Sequence, residues 1–182
     1  MTPKTKRTER IAAAVMLWRD APDGPLVYLA ERNPALRFFG GYYAFVGGVR
    51  EEVDGPNDPD GGDRIALRNC ALRELEEATG LRADSVRLHE ACRIRTPPFA
   101  PVRYDTVFFV AEVDDGAEPV LAPGGELTSG GWFRAADALA RWRRGELLIV
   151  PPAIILLELM AEHADRSEFC AAAMAKANTY RD

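Results

Sequence analysis

The stretch Arg73-Glu74-Leu75-Glu76-Glu77-Ala78-Thr79-Gly80-Leu81 decides how this chain is read. Ile65, Leu67, Leu72 and Leu75 supply apolar positions for a helix over about residues 64–79, and Gly80 stops it. At about 100° per residue, Glu74 and Glu77 lie one turn apart on the same side. Two carboxylates that close repel each other, so unless they are simply solvated a cation belongs between them. A hard divalent ion such as Mg²⁺ accepts oxygen ligands in this arrangement and can bridge to phosphates. Arg73 can orient a carboxylate through paired hydrogen bonds. The competing reading is an ordinary charged, solvent-facing helix surface.

Upstream of the helix, residues 42–46 form a short aromatic strand that runs into Gly47-Gly48. Residues 51–63 lack apolar periodicity and read as a long acidic loop carrying Glu51, Glu52, Asp54, Asp58, Asp60 and Asp63. This loop is either a solvated insertion or a source of a carboxylate that folds back. Two earlier strands, 11–18 and 26–30, are joined by a turn-rich segment. Downstream, strands are expected at 86–94, 104–113 and 127–133, and helices at 135–144, 153–163 and 168–177. Mixed strands and helices mean an α+β or α/β sandwich.

Bulk properties narrow the function. A length of 182 residues suits one domain. The net charge of −5 argues against a nucleic-acid backbone as partner. Cys70, Cys92 and Cys170 show no metal-binding spacing, and an odd count fits a reducing compartment. The basic residues Lys4, Lys6, Arg7 and Arg10 precede an apolar run at 11–18 that is too short for a membrane span and lacks a cleavage site. A buried first strand, no membrane partner and a cytoplasmic protein are expected. His89 and His163 read as surface or packing residues.

The helix and its surroundings resemble the Nudix family, whose motif runs G-x5-E-x7-R-E-U-x-E-E-x-G-U, U being bulky and aliphatic. Gly48, Arg73, Glu74, Leu75, Glu77, Gly80 and Leu81 occupy matching places. Gly47-Gly48 after Phe45-Val46 looks like the family's Gly-Gly entry, and Gly125-Glu126-Leu127 ahead of Trp132-Phe133 looks like its late strand. The resemblance implies an α/β/α sandwich with a mixed β-sheet and flanking helices, a single domain over 1–182 with extra C-terminal helices at about 152–177. It implies cleavage of a nucleoside diphosphate linked to another moiety by metal-assisted attack of water on phosphorus, with Mg²⁺ or Mn²⁺ as cofactor. Carried over to this sequence, Glu74 and Glu77 are the metal ligands, and Glu77, Glu126 and Arg73 the catalytic candidates. Glu126 is the candidate general base, and its alternative reading is a surface loop glutamate.

The segment between the second strand and the Gly pair supplies candidate substrate contacts. Arg32 and Arg37 can pair with phosphates and Phe38, Phe39, Tyr42 or Tyr43 can stack on a base, Phe39 and Tyr43 being the candidates with Gly47 and Gly48 beside them; alternatively the aromatics are core and the arginines surface. This segment, Arg143-Arg144-Gly145-Glu146 and Pro151-Pro152 are similar to a coenzyme A diphosphatase branch, implying a CoA-like substrate. Some similar bacterial proteins carry a further domain, so this chain could be the N-terminal part of a longer protein. The apolar segment 153–160 is core or, on the other reading, a homodimer face.

Two places depart from the motif. Its second paired Glu falls at Ala78, and Glu76 cannot stand in, because it projects about 200° round the helix from Glu74 whereas position 78 projects about 40°. The earlier Glu, counted back from Arg73, falls at Ile65. These departures leave a second function open: a catalytically impaired domain acting as a nucleotide-binding or regulatory module.

Overall fold

The structure, a computed structural model, describes residues 9–56, 62–100, 102–114 and 116–179. Lys4, Lys6, Arg7, Asp58 and Asp60 lie outside these.

Strand β1 (Arg10–Arg19) sends Ala13, Val15 and Leu17 to one face and Met16 and Trp18 to the other. Each set is buried in a different apolar cluster, so period-two geometry turns a near-continuous apolar run into the middle of two cores. Around it lie β2 (Leu26–Arg32) and β4 (Val46–Val49), both antiparallel, and β6 (Tyr104–Val113), parallel. Strand β5 (Val86–Arg95) pairs with β6, and β3 (Tyr43–Ala44) and β7 (Leu127–Phe133) pair with β2, all antiparallel.

Helix α1 (Arg64–Thr79) covers one face of this mixed sheet through Leu67, Cys70, Ala71 and Leu75. Truncating either leucine to Ala would cost roughly 2–5 kcal/mol. The helix ends where expected, at Gly80 with φ 70°, the left-handed conformation that relieves a helix C-terminus. The other face is covered by α2 (Ala135–Arg143), α3 (Pro151–Glu162) and α4 (Arg166–Thr179). Phe169 of α4 reaches Trp18 of β1 with ring centroids 5.6 Å apart. The result is the expected α/β/α sandwich.

Three details differ from or sharpen the sequence reading. The strand expected at 42–46 is two short strands, because the chain leaves β2 after Ala44 and pairs with β1 from Val46 onward. The acidic loop is not all solvated: residues 52–54 make a 3-10 turn, and Asp54 is buried. On α3, Ala153, Leu156, Leu157, Leu159 and Met160 are buried in the core, so that stripe offers no argument for a dimer. Among the described residues no helix is long and apolar enough to cross a membrane. All three cysteines are free, and burial pushes the Cys70 and Cys92 thiols up to about 12, which keeps them protonated and unreactive.

Candidate active site

The buried inner face of α1 fixes the roll of the helix and leaves Arg73, Glu74 and Glu77 along its flank towards β4. Two glycines make this approach feasible. A methyl group on Gly47 would run into the Ala13 carbonyl oxygen of β1, and one on Gly48 would fall inside the Glu74 carboxylate. Gly48 therefore leaves the hollow that Glu74 fills.

Arg73 gathers the acids. Its Nε and Nη2 donate to the two carboxylate oxygens of Asp54 at 2.8 and 3.0 Å. Its Nη1 donates to Glu74 Oε1 at 2.8 Å and to Glu77 Oε2 at 3.3 Å. The paired hydrogen bonds expected of Arg73 are present, and the carboxylate they hold is Asp54. This corrects the placing of the earlier motif acid at Ile65, which is exposed at the first turn of α1. Counting forward from Gly48 past five residues lands on Asp54. The extra residues lie after that acid; they lengthen the connection to α1 and leave the Gly48–Asp54 turn intact. Asp54 was legible only if the motif was counted from its glycine and not from its arginine.

One guanidinium thus serves three carboxylates, leaving excess negative charge at the helix flank. Arg73 holds the Asp54 carboxyl below its ordinary range through hydrogen bonds. Glu74 is pushed up, chiefly by burial, against the pull of Arg73 and with added repulsion from Glu77 and Glu126. Glu77 faces solvent, while Glu76 is exposed on the far side. The structure therefore brings Glu74 and Glu77 together and puts Glu126 within electrostatic reach of them.

Ala78 presents a methyl where the motif has a carboxylate. The last turn of α1 is instead used as a dock: the Ala78 and Thr79 carbonyls accept hydrogen bonds from the amides of Ala122 at 3.2 Å and Val120 at 2.9 Å. That docking carries the following loop to Glu126, whose carboxylate is exposed and lies 3.4 Å from Nη2 of Arg32.

The other candidates separate into two groups. Phe39, with φ 53°, packs its ring against Phe38 at 4.4 Å and Tyr42 at 5.1 Å, and Phe38 reaches Tyr104 at 5.8 Å. This aromatic turn also carries Arg37, which is exposed. Tyr43 belongs to the other layer: it meets Phe133 edge-on at 6.1 Å and packs against the core under α2 and α3. His89 lies 3.7 Å from Glu112 on β6, outside this constellation.

A divalent cation fits this donor set as an incomplete shell. Among the described residues, no three His, Cys, Asp or Glu side chains are gathered closely enough to hold an ion by themselves. Glu74 and Glu77 supply two carboxylates, and Mg²⁺ commonly takes its remaining oxygens from water and substrate phosphate.

Comparison with known proteins bears on the family and the fold. A family model described as NUDIX domain matches residues 8–150. A crystal structure of a NUDIX hydrolase from Alicyclobacillus acidocaldarius is 26% identical, with a TM-score of 0.80 over 92% of this chain and 97% of that one. The NUDIX domain of Shewanella oneidensis NrtR complexed with ADP ribose is 18% identical, with a TM-score of 0.63 over 87% and 90%. A C. elegans Ap4A hydrolase binary complex is 15% identical, with a TM-score of 0.54 over 94% and 99%. The last two bear on the fold alone. No curated protein matches in sequence.

Proposed function

The chain belongs to the Nudix family of hydrolases, and from that premise we propose that it is a metal-dependent pyrophosphohydrolase acting on a nucleoside diphosphate linked to another moiety. The observation that carries this reading is the convergence of Glu74 and Glu77 on one guanidinium nitrogen, with Glu74 under repulsion from both Glu77 and Glu126. A divalent ion, Mg²⁺ or Mn²⁺, would be held by Glu74 and Glu77 and would supply Lewis-acid stabilisation of charge on the phosphate oxygens.

The protein's own groups have separable tasks. Asp54 locks Arg73, and Arg73 fixes the directions of Glu74 and Glu77. Glu126 is the group that accepts a proton from the attacking water. As the water oxygen bonds to phosphorus, the bridging P–O bond breaks, and its electron pair leaves on the departing phosphate. Arg32 and Arg37 offer positive charge to the diphosphate, and the ring face of Phe39 offers a stacking surface for a base. A second nucleoside, a sugar and a pantetheine-like chain are the candidate attached moieties, and the coenzyme A form rests on the likeness of residues 31–43, 143–146 and 151–152. A cytoplasmic setting fits such a substrate.

Incubation with Mg²⁺ or Mn²⁺ and a panel of CoA, ADP-ribose, NADH and dinucleoside polyphosphates should release nucleotide from at least one of them, and Glu77→Gln should abolish the release. No turnover with either metal across that panel would overturn the proposal. Ala78 favours a second reading, a nucleotide-binding or regulatory domain that does not cleave. Calorimetry would then show nucleotide binding that needs no metal and leaves the ligand intact.

A further inference from the structure

Arg32 closes β2 at the point where the register between β2 and β7 shifts. Such a bulge re-aims a side chain. Here the guanidinium reaches two segments that share no strand ladder. Its Nε donates to the Phe38 carbonyl oxygen, and its Nη2 to Glu126 Oε2, each at 3.4 Å. Backbone bonds tie the same two segments to Arg32 and its neighbour. The Asn33 amide donates to the Glu126 carbonyl at 2.7 Å, and the Gly41 amide to the Arg32 carbonyl at 2.8 Å. The aromatic turn and the Glu126 loop therefore meet at one side chain.

The two ends of this link differ in freedom. Arg32 is 22% exposed and Glu126 is 70% exposed, so the arginine is the anchored member. The aromatic turn has little room to adjust. Phe39 occupies the left-handed region, and a methyl on Gly40 would run into the carbonyls of Pro34 and Leu36. A long ion pair to an exposed partner is weak, whereas a guanidinium matches the paired oxygens of a phosphate. An anion resting beside the turn can therefore take Arg32 away from Glu126.

We propose that Arg32 is a positioning residue for Glu126: it ties the carboxylate to the aromatic turn, and an anionic phosphate ligand lodged on that turn draws the guanidinium off and frees Glu126 to receive the proton of water. This deepens the hydrolase reading and rests on it. Arg32 thereby makes the proton acceptor available only when a ligand is seated.

Two measurements on the full chain test it. Without ligand, hydrogen exchange in Arg32→Ala and Arg32→Lys should rise together at residues 36–42 and 124–127, by about two- to fivefold, and stay unchanged elsewhere. Lys keeps the charge but cannot span both oxygens as the guanidinium fork does. Loosening of only one segment, or neither, would overturn the coupling. With ADP-ribose and Mn²⁺, Glu126→Gln should lower kcat about 100-fold, within the range for general-base loss. Arg32→Ala removes the tie and should leave kcat within about twofold; it should raise KM, and raise it at least about threefold more in the Glu126→Gln background, where no pair has to be broken first, because residues acting as a unit are not additive. A KM effect of Arg32→Ala that is equal in both backgrounds would make Arg32 a simple phosphate ligand and sink the positioning role. A wild-type chain that turns over nothing would remove the hydrolase reading and this catalytic role with it, and the exchange measurement would still decide the coupling.

Discussion

Asp54→Asn breaks the link that organises the helix flank without changing its shape. Asp54 is 3% exposed and accepts two hydrogen bonds from Arg73, at 2.8 and 3.0 Å. Asparagine offers one acceptor oxygen and turns an amide N–H towards the guanidinium, which then has only Glu74 and Glu77 as charged partners. Removing one member of a buried ion pair costs about 3–5 kcal/mol. Arg73 retains some contact with water, at 18% exposure, so the lower end applies, about 3 kcal/mol. For a domain of this length each kcal/mol moves Tm by roughly 2–4 °C, so the variant should melt about 6–12 °C below wild type at pH 7.

The pH dependence gives a second signature of the same contact. Arg73 holds the folded Asp54 carboxyl below its ordinary value. A depressed carboxylate contributes stability that is complete above the unfolded pKa and is lost as pH falls through the folded one. The gap between wild type and variant should therefore be constant above about pH 5 and begin to close below about pH 4. Circular dichroism melts from neutral to acid pH read both. A Tm within about 2 °C of wild type at pH 7, or a gap that ignores acid, would refute the reasoning.

Three further substitutions probe other contacts. Gly48→Ala places a methyl where the Glu74 carboxylate sits, so Mn²⁺ affinity by calorimetry should fall about 10-fold or more while Tm changes little. Ala78→Glu returns a carboxylate to the metal side of α1, and Mn²⁺ should bind at least about tenfold tighter, with kcat rising if this ligand is the deficit. Arg93→Ala removes a guanidinium that bridges Asp63 at 2.7 Å and buried Asp105 at 2.6 Å. Arg95 still pairs with Asp105, so the loss in denaturant unfolding should be about 2 kcal/mol, accompanied by faster hydrogen exchange in the first turn of α1.

The parts of this protein that were legible in its sequence are those set by local periodicity. Helix α1 was placed residue for residue because its apolar spacing and its glycine stop are both local signals. Strand β6 is equally plain as a run bounded by turn residues, whereas β7 carries Ser129-Gly130-Gly131 inside it and reads less clearly. The break between β3 and β4 was not legible, since only the change of partner from β2 to β1 interrupts that run. The role of Asp54 was hidden for a related reason: it depends on a contact across the inserted residues, and the insertion shifts any count taken from Arg73. The Arg32–Glu126 contact joins residues that lie far apart in sequence, and no spacing rule announces it. Tyr43 carried an aromatic signal indistinguishable from that of Phe39, and only the sheet decides which layer each one enters.

The claim on which the rest depends is that the flank of α1 bearing Glu74 and Glu77 takes up a divalent cation. Crystals soaked in Mn²⁺ and measured near the manganese absorption edge test it directly. An anomalous peak in contact with carboxylate oxygens of both Glu74 and Glu77, lost in Glu77→Gln, is the expected result. A clean map at that flank, or manganese bound only at some other surface, would contradict the account.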